Sequence, residues 1–151
     1  MGWNFLDLDT QMERTMGQRA QELFEAVGEA QFRAMETELW AAALQLSQTI
    51  LAPGGAVIDK AENRSILARS TGSFVVFLDA PFEILMDRCL RQEEQEGATY
   101  RPLLHKTEVA RARFMERRVF YAQHAQEVID VARRSPEDIA QSIWRSVPGA
   151  E

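Results

Sequence analysis

The sequence predicts an α/β fold, a parallel β-sheet covered by helices, and three observations carry that reading. Ser73-Phe-Val-Val-Phe-Leu78 is continuously apolar and β-branched or aromatic over five positions, the pattern of a strand buried on both faces. Three more segments of strand length, Gly2–Asp9, Thr49–Ala52 and Glu127–Val131, are each followed by a helical pattern. No hairpin turn signal separates any two of the four, so consecutive strands are expected to run parallel.

The first segment, Gly2-Trp-Asn-Phe-Leu-Asp-Leu-Asp9, ends in two carboxylates one residue apart. Side chains two apart on a strand point the same way, so Asp7 and Asp9 would leave the sheet together at its carboxyl edge, where open α/β sheets bind ligands. The competing role for Asp9 is to cap the helix that starts near Thr10. Thr10 to Met16 and Gln18 to Val27 read as two short helices parted by Gly17. A longer helix runs from about Glu29 to Leu46, with Phe32, Met35, Leu39, Ala43 and Leu46 as its apolar stripe. Arg33 and Glu36 stand three apart on it, either as an orienting pair or as an ordinary surface pair, and spacing alone favours the surface pair.

Thr49–Ala52 is a short strand broken by Pro53-Gly54-Gly55, whose glycines let a backbone come close to a ligand. A helix near Ala61 to Ser70 leads into the strand at Ser73–Leu78. Pro81 opens the next helix, which passes into the charged segment Gln92–Gly97, read as a solvated loop of the kind from which lids are made. Tyr100-Arg-Pro-Leu-Leu104 follows, and the proline restricts the backbone of Arg101. Thr107 to His124 is helical and carries Arg111, Arg113, Arg117 and Arg118. After the last strand, Ser135-Pro-Glu-Asp138 is a helix start with Ser as cap, Pro at the first position and an acid at the third. The final helix turns Ile139, Ile143 and Trp144 inward.

At 151 residues and 46% hydrophobic the chain has the size of one domain with a sizeable core. A net charge of -6 recommends no nucleic-acid partner. The single cysteine, Cys89, excludes an intrachain disulfide framework and fits a reducing compartment, and no apolar run reaches the length of a membrane span. The amino terminus reads as a strand and not as a leader. The expectation is a cytoplasmic monomer of one domain, residues 1–151, with a lid segment at about 92–106. Of the 17 basic residues only Lys60 and Lys106 are lysine, so arginine, with its planar fork, supplies nearly all the positive charge. Cys89, His105 and His124 receive no role.

Taken in order, Asp7-Leu-Asp9, Gly28-Glu-x-x-Phe-Arg33-x-x-Glu36, Gly54-Gly55, Arg101-Pro-Leu-Leu104 and Arg117-x-x-x-Tyr121 resemble the shikimate kinase family over essentially the whole chain. The resemblance implies a three-layer, P-loop kinase-like fold and transfer of phosphate from ATP, with Mg²⁺, to the 3-hydroxyl of shikimate in aromatic amino acid biosynthesis. It further implies that Asp9 binds the substrate hydroxyl and accepts its proton, and that Asp7 helps hold magnesium through water. Arg33 and Arg117 would grip the substrate carboxylate, with Glu36 orienting Arg33 and the Gly54-Gly55 turn approaching the ring. Arg101 would reach the transferred phosphate, and Arg88 and Arg134 would lie on the nucleotide side.

The chain departs from the family pattern in three places. Pro53 stands where a first glycine is usual, and Leu8 replaces a small or polar residue between the acids. No Gly-x-x-x-x-Gly-Lys-Ser/Thr occurs among residues 1–151, so nothing in them cradles the β- and γ-phosphates. In the family that loop follows a central first strand. The expectation is therefore a recorded start that falls too late, a gap between Thr49–Ala52 and Phe74–Leu78, and no activity from these residues alone. A kinase-derived binding or regulatory domain without phosphotransfer is the alternative, and a related small-molecule kinase such as gluconate kinase is a lesser one.

Overall fold

The structure is a computed structural model that describes residues 2–96 and 107–149. The chain divides into two compact units, Met1–Ser73 and Phe74–Glu151.

In the first unit, β1 (Asn4–Asp7) lies parallel to β2 (Thr49–Ala52), with Phe5 opposite Ile50 and Leu6 opposite Leu51. Three helices fill the crossover: α1 (Leu8–Met16), α2 (Ala20–Val27) and α3 (Glu29–Ala43). Gly28, at φ 79°, ends α2 and begins α3, a backbone turn that a side chain would strain. Met12, Leu23 and Phe32 form the core of the three helices, with Phe24 edge-on to Phe32 at 5.3 Å. Each such side chain contributes roughly 1.5–3 kcal/mol through burial. A single 3₁₀ turn (Val57–Asp59) and α4 (Ala61–Arg69) complete the unit.

The boundary between β1 and α1 corrects the sequence reading. The strand stops at Asp7 and Leu8 is already helical, so Asp9 sits in the first turn of α1 and does not share a strand face with Asp7. The cap is Asp7, whose Oδ1 accepts the Thr10 backbone N–H at 2.8 Å. Helix α3 also ends earlier than the stripe suggests. Leu46 is exposed, whereas Glu36, Thr37 and Trp40 are buried.

In the second unit, β3 (Val76–Asp79) lies parallel to β4 (Glu127–Asp130). Between them run α5 (Phe82–Glu96) and α6 (Thr107–His124), and α7 (Pro136–Ser146) follows β4. The Ser135 hydroxyl caps α7 by accepting the Asp138 N–H at 3.1 Å, as its sequence predicts. Ala80, Ile129 and Val131 form the core against Ile139 and Ile143.

Among the described residues the strands form two parallel ladders, β1 with β2 in the first unit and β3 with β4 in the second. On the first ladder Phe5 is 69% exposed and its in-register neighbour Ile50 45%. The expectation that Ser73–Leu78 is buried on both faces is also corrected. Among the described residues β3 has a partner along one edge only, and Leu78 is 44% exposed.

Candidate active site

In the first unit, the turn after β2 meets the first turn of α1. A Cβ placed on Gly54 would lie 2.9 Å from Oδ1 of Asp9 and 3.5 Å from its Cγ, so only glycine lets this backbone and this carboxylate come together as they do. No protein group among the described residues hydrogen-bonds the Asp9 carboxylate. Its pKa is raised, first by loss of solvent and then by the neighbouring charges of Asp7 and Glu13, while Arg33 pulls it back. The result is an acceptor for a hydroxyl proton that is more basic than an ordinary aspartate.

Arg33 projects from α3, and its Nη1 donates to both oxygens of Glu36, at 3.2 and 3.0 Å. The expectation of a surface pair is corrected here, since the Glu36 side chain is 6% exposed and that of Arg33 27%. The pair forms because Glu36 falls on the buried face of α3 and its charge requires a partner there. Nε and Nη2 of Arg33 donate to nothing among the described residues, which leaves two donors for an external carboxylate.

Lys60 reaches the same helix from the end of the 3₁₀ turn. Its Nζ donates to Thr37 Oγ1 at 2.9 Å and to the Arg33 carbonyl at 3.4 Å. Below it, Trp40 Nε1 donates to the Asn63 carbonyl at 3.1 Å, and Asn63 Nδ2 donates to the Val57 carbonyl at 2.9 Å. These bonds tie the segment that follows Gly54-Gly55 to the helix that carries Arg33. Sequence reasoning passed over Lys60, although a lysine at a helix start is conspicuous in a chain whose positive charge is nearly all arginine.

In the second unit, α6 is fastened to β3 and the start of α5 by an antiparallel series of contacts. The ring of Tyr121 lies 5.3 Å from that of Phe77. Arg118 grips Asp79 with both arms of its fork, Nη2 to Oδ2 at 2.7 Å and Nε to Oδ1 at 3.0 Å. Phe114 lies 5.5 Å from Phe82, and Arg111 covers the Phe82 ring at 4.4 Å while its Nη1 meets Glu83 at 2.8 Å. Arg118 is raised above its already high pKa by the hydrogen bonds it donates to Asp79 and by that residue's charge. Sequence reasoning missed Asp79 and Arg118. The available signal was that three of the four strands end in aspartate: Asp7, Asp79 and Asp130.

Arg117 is partly buried on α6 beside this series. Arg88 Nη2 donates to the carbonyls of Val131 and Ala132, at 2.8 and 3.1 Å, and Arg134 Nη2 to the Asp138 carbonyl at 2.9 Å and to the Ser142 hydroxyl. Both arginines thus gather at the turn after β4. Arg134 also lines an open cleft of about 580 Å³ with Asp130, Arg133, Ser142 and Arg145. The reading of Gln92–Gly97 as a loop is corrected, since residues 92–96 continue helix α5, and the rest of the proposed lid, residues 97–106 with Arg101, lies outside the described residues.

Among the described residues no group of three or more His, Cys, Asp or Glu side chains is placed to hold a metal ion. Asp7 uses Oδ1 for the Thr10 cap, and its Oδ2 meets no hydrogen-bond donor among the described residues. One carboxylate oxygen suits an ion held mainly by water and phosphate oxygens, which is the habit of magnesium. No described helix is long and apolar enough to cross a membrane.

The shikimate kinase family model matches residues 1–148. A shikimate kinase of Lactococcus lactis subsp. lactis is 39% identical over 140 residues, covering 93% of this chain and 82% of that one. One of Symbiobacterium thermophilum is 37% identical over 150 residues, covering 97% and 83%. Among solved structures, the shikimate kinase of Acinetobacter baumannii in complex with shikimate superposes with a TM-score of 0.79 at 28% identity, covering 95% of this chain and 78% of that one. By sequence and by fold alike, the chain belongs to the shikimate kinase family.

Proposed function

We propose that the Asp9, Gly54 and Arg33 cluster is the acceptor site for shikimate and that the protein transfers the γ-phosphoryl group of ATP to the 3-hydroxyl of that ligand. The observation that carries the reading is the juxtaposition of an unbonded, proton-seeking Asp9 carboxylate with Gly54, on a unit whose Arg33 keeps two donors unused. Arg33 and Arg117 hold the ligand carboxylate, and Glu36 fixes Arg33. Asp9 orients the hydroxyl. Its oxygen forms the new bond to phosphorus as the bond from the γ-phosphorus to the bridging oxygen breaks, ADP departs, and the hydroxyl proton passes to Asp9. Transfer of this kind depends on positioning and charge neutralisation, which suits a site made of arginines and one acid.

Arg101 meets the transferred phosphate in this reading, Arg88 and Arg134 lie on the nucleotide side, and Gly55 completes the turn against the ring. Asp7 helps hold Mg²⁺ through water. When bound, that ion neutralises charge on the phosphates. A monomeric, cytoplasmic protein with a small-molecule substrate and no nucleic-acid or membrane partner belongs to the same reading. Calorimetric titration with shikimate tests it: binding is expected for the unsubstituted protein, with loss in Arg33→Ala and in Asp9→Asn. Absence of binding overturns it.

A second reading is favoured by the lack of any Gly-x-x-x-x-Gly-Lys-Ser/Thr in residues 1–151 and by Pro53 in the glycine turn. On that reading these residues bind shikimate and do not turn over ATP. Release of ADP in the presence of shikimate decides between the two.

A further inference from the structure

The geometry points to Asp79 and Arg118 as positioning residues that set the aim of Arg117, an inference that rests on the reading of Arg117 as a carboxylate grip. Phe77 and Asp79 stand two apart on β3 and so share a face, and Arg118 and Tyr121 stand three apart on α6 and share another. The two faces meet at two points, the Phe77–Tyr121 ring contact and the Asp79–Arg118 fork. Phe114 against Phe82 and Arg111 against Glu83 hold the amino-terminal part of α6, and beside Arg117 the planar fork, which tolerates little rotation, fixes the roll of the helix.

Arg117 is the residue next to the fork. Successive residues on a helix are separated by about 100° of rotation, so a helix pinned through Arg118 presents Arg117 in one direction. Arg117 is also four residues from Tyr121, and therefore its neighbour along the helix surface. The Asp79 side chain is 18% exposed and that of Arg118 48%, so the fork lies at a partly solvated site and its two-point geometry is what orients the helix. The fork belongs to the protein's own framework. Its effect on a ligand passes through Arg117.

The test measures shikimate affinity in Asp79→Asn and in Arg118→Lys, which keeps the charge but not the fork. It uses two ligands, shikimate and the analogue in which a hydroxymethyl group replaces the carboxylate. Both variants are expected to weaken shikimate binding about tenfold, as a misdirected grip does, and to leave the analogue unaffected. In an Arg117→Ala background the same substitutions are expected to change shikimate affinity no further. Equal losses for acid and analogue, or an undiminished effect without Arg117, overturn the proposal and assign the fork a structural role only. The Arg117 Nε–H resonance of the ligand-free protein is a separate readout, expected to shift or broaden in Asp79→Asn. If the unsubstituted protein binds no shikimate, the reading of the site fails, and the resonance alone judges the fork. An unchanged resonance overturns the proposal.

Discussion

The Asp9 carboxylate rests on Gly54 so closely that a methyl group added there would come within 2.9 Å of Oδ1. The atom in the way is the far end of a side chain, which can swing aside. Gly54→Ala is therefore expected to fold with a stability change within about 0.5 kcal/mol, as substitutions that force no backbone or core shift do. Its cost falls on chemistry, because a displaced acceptor carboxylate is out of line with the hydroxyl. A loss of about 10²-fold in turnover is expected, the scale of a misplacement of about 1 Å. Urea unfolding and initial rates on the same sample separate the two. A large stability loss with unchanged turnover per folded molecule would refute the assignment.

The raised pKa of Asp9 gives a stability signature. Desolvation is the largest cause, followed by Asp7 and Glu13, with Arg33 opposing. Between the pKa of the unfolded chain and that of the folded protein, the folded state binds more protons. The stabilising contribution of protonated Asp9 is thus present at low pH and is lost as pH rises through the folded value. Asp9→Asn, which cannot ionise, is expected to equal or exceed the unsubstituted protein in thermal stability at neutral pH, with the advantage vanishing below about pH 4. Carboxyl NMR should show Asp9 titrating lower in Glu13→Gln and higher in Arg33→Met.

Removing either partner of the Arg33–Glu36 pair should have unequal effects. Arg33→Met strands a carboxylate whose side chain is 6% exposed, and an expected loss of about 3 kcal/mol follows from an uncompensated buried charge. Glu36→Gln leaves an acceptor in place beside a guanidinium that water partly reaches, and about 1 kcal/mol is expected. Denaturant titrations of the two variants provide the comparison. Equal losses would mean that the buried charge is compensated by something other than Arg33.

Strand β2 and helix α6 occupy the residues that the sequence assigns them, since Thr49–Ala52 has a broken apolar run and Thr107–His124 a helical pattern followed by a strand signal. Local chemistry also explains where reading stops. The apolar run to Leu8 looks like one strand, but Asp7 offers its carboxylate to the Thr10 N–H, and a cap there ends the strand early. Glu36 was legible as a neighbour of Arg33. Its burial was not, because it depends on which face of α3 meets the 3₁₀ turn and α4. The fork between Asp79 and Arg118 spans 39 positions, and no local spacing encodes such a pair. The acceptor residues were legible through a motif order that resembles a family, while the contact that makes Gly54 necessary required coordinates.

Asn63 links the site's geometry to the core. It is 1% exposed, its Nδ2 donates to the Val57 carbonyl, its own carbonyl accepts from Trp40, and its Oδ1 has no partner among the described residues. Asn63→Ala leaves the Val57 carbonyl unmet and should cost about 1–3 kcal/mol. Asn63→Asp should cost more at neutral pH, about 3–5 kcal/mol, because it places an unpaired charge in the core and turns a second acceptor toward Val57. Protonation restores a donor. The folded state then holds the proton to higher pH than the unfolded chain, so stability is present at low pH and lost as pH rises. Unfolding of Asn63→Asp at pH 5 and pH 8 is expected to differ, with the protein more stable at pH 5, whereas Asn63→Ala should differ from the unsubstituted protein equally at both. Because Val57 follows the turn that carries Gly54, shikimate affinity of the Asp variant should fall in parallel with its stability as pH rises. An Asp variant equally stable at both pH values would show that the Val57 carbonyl does not depend on this donor.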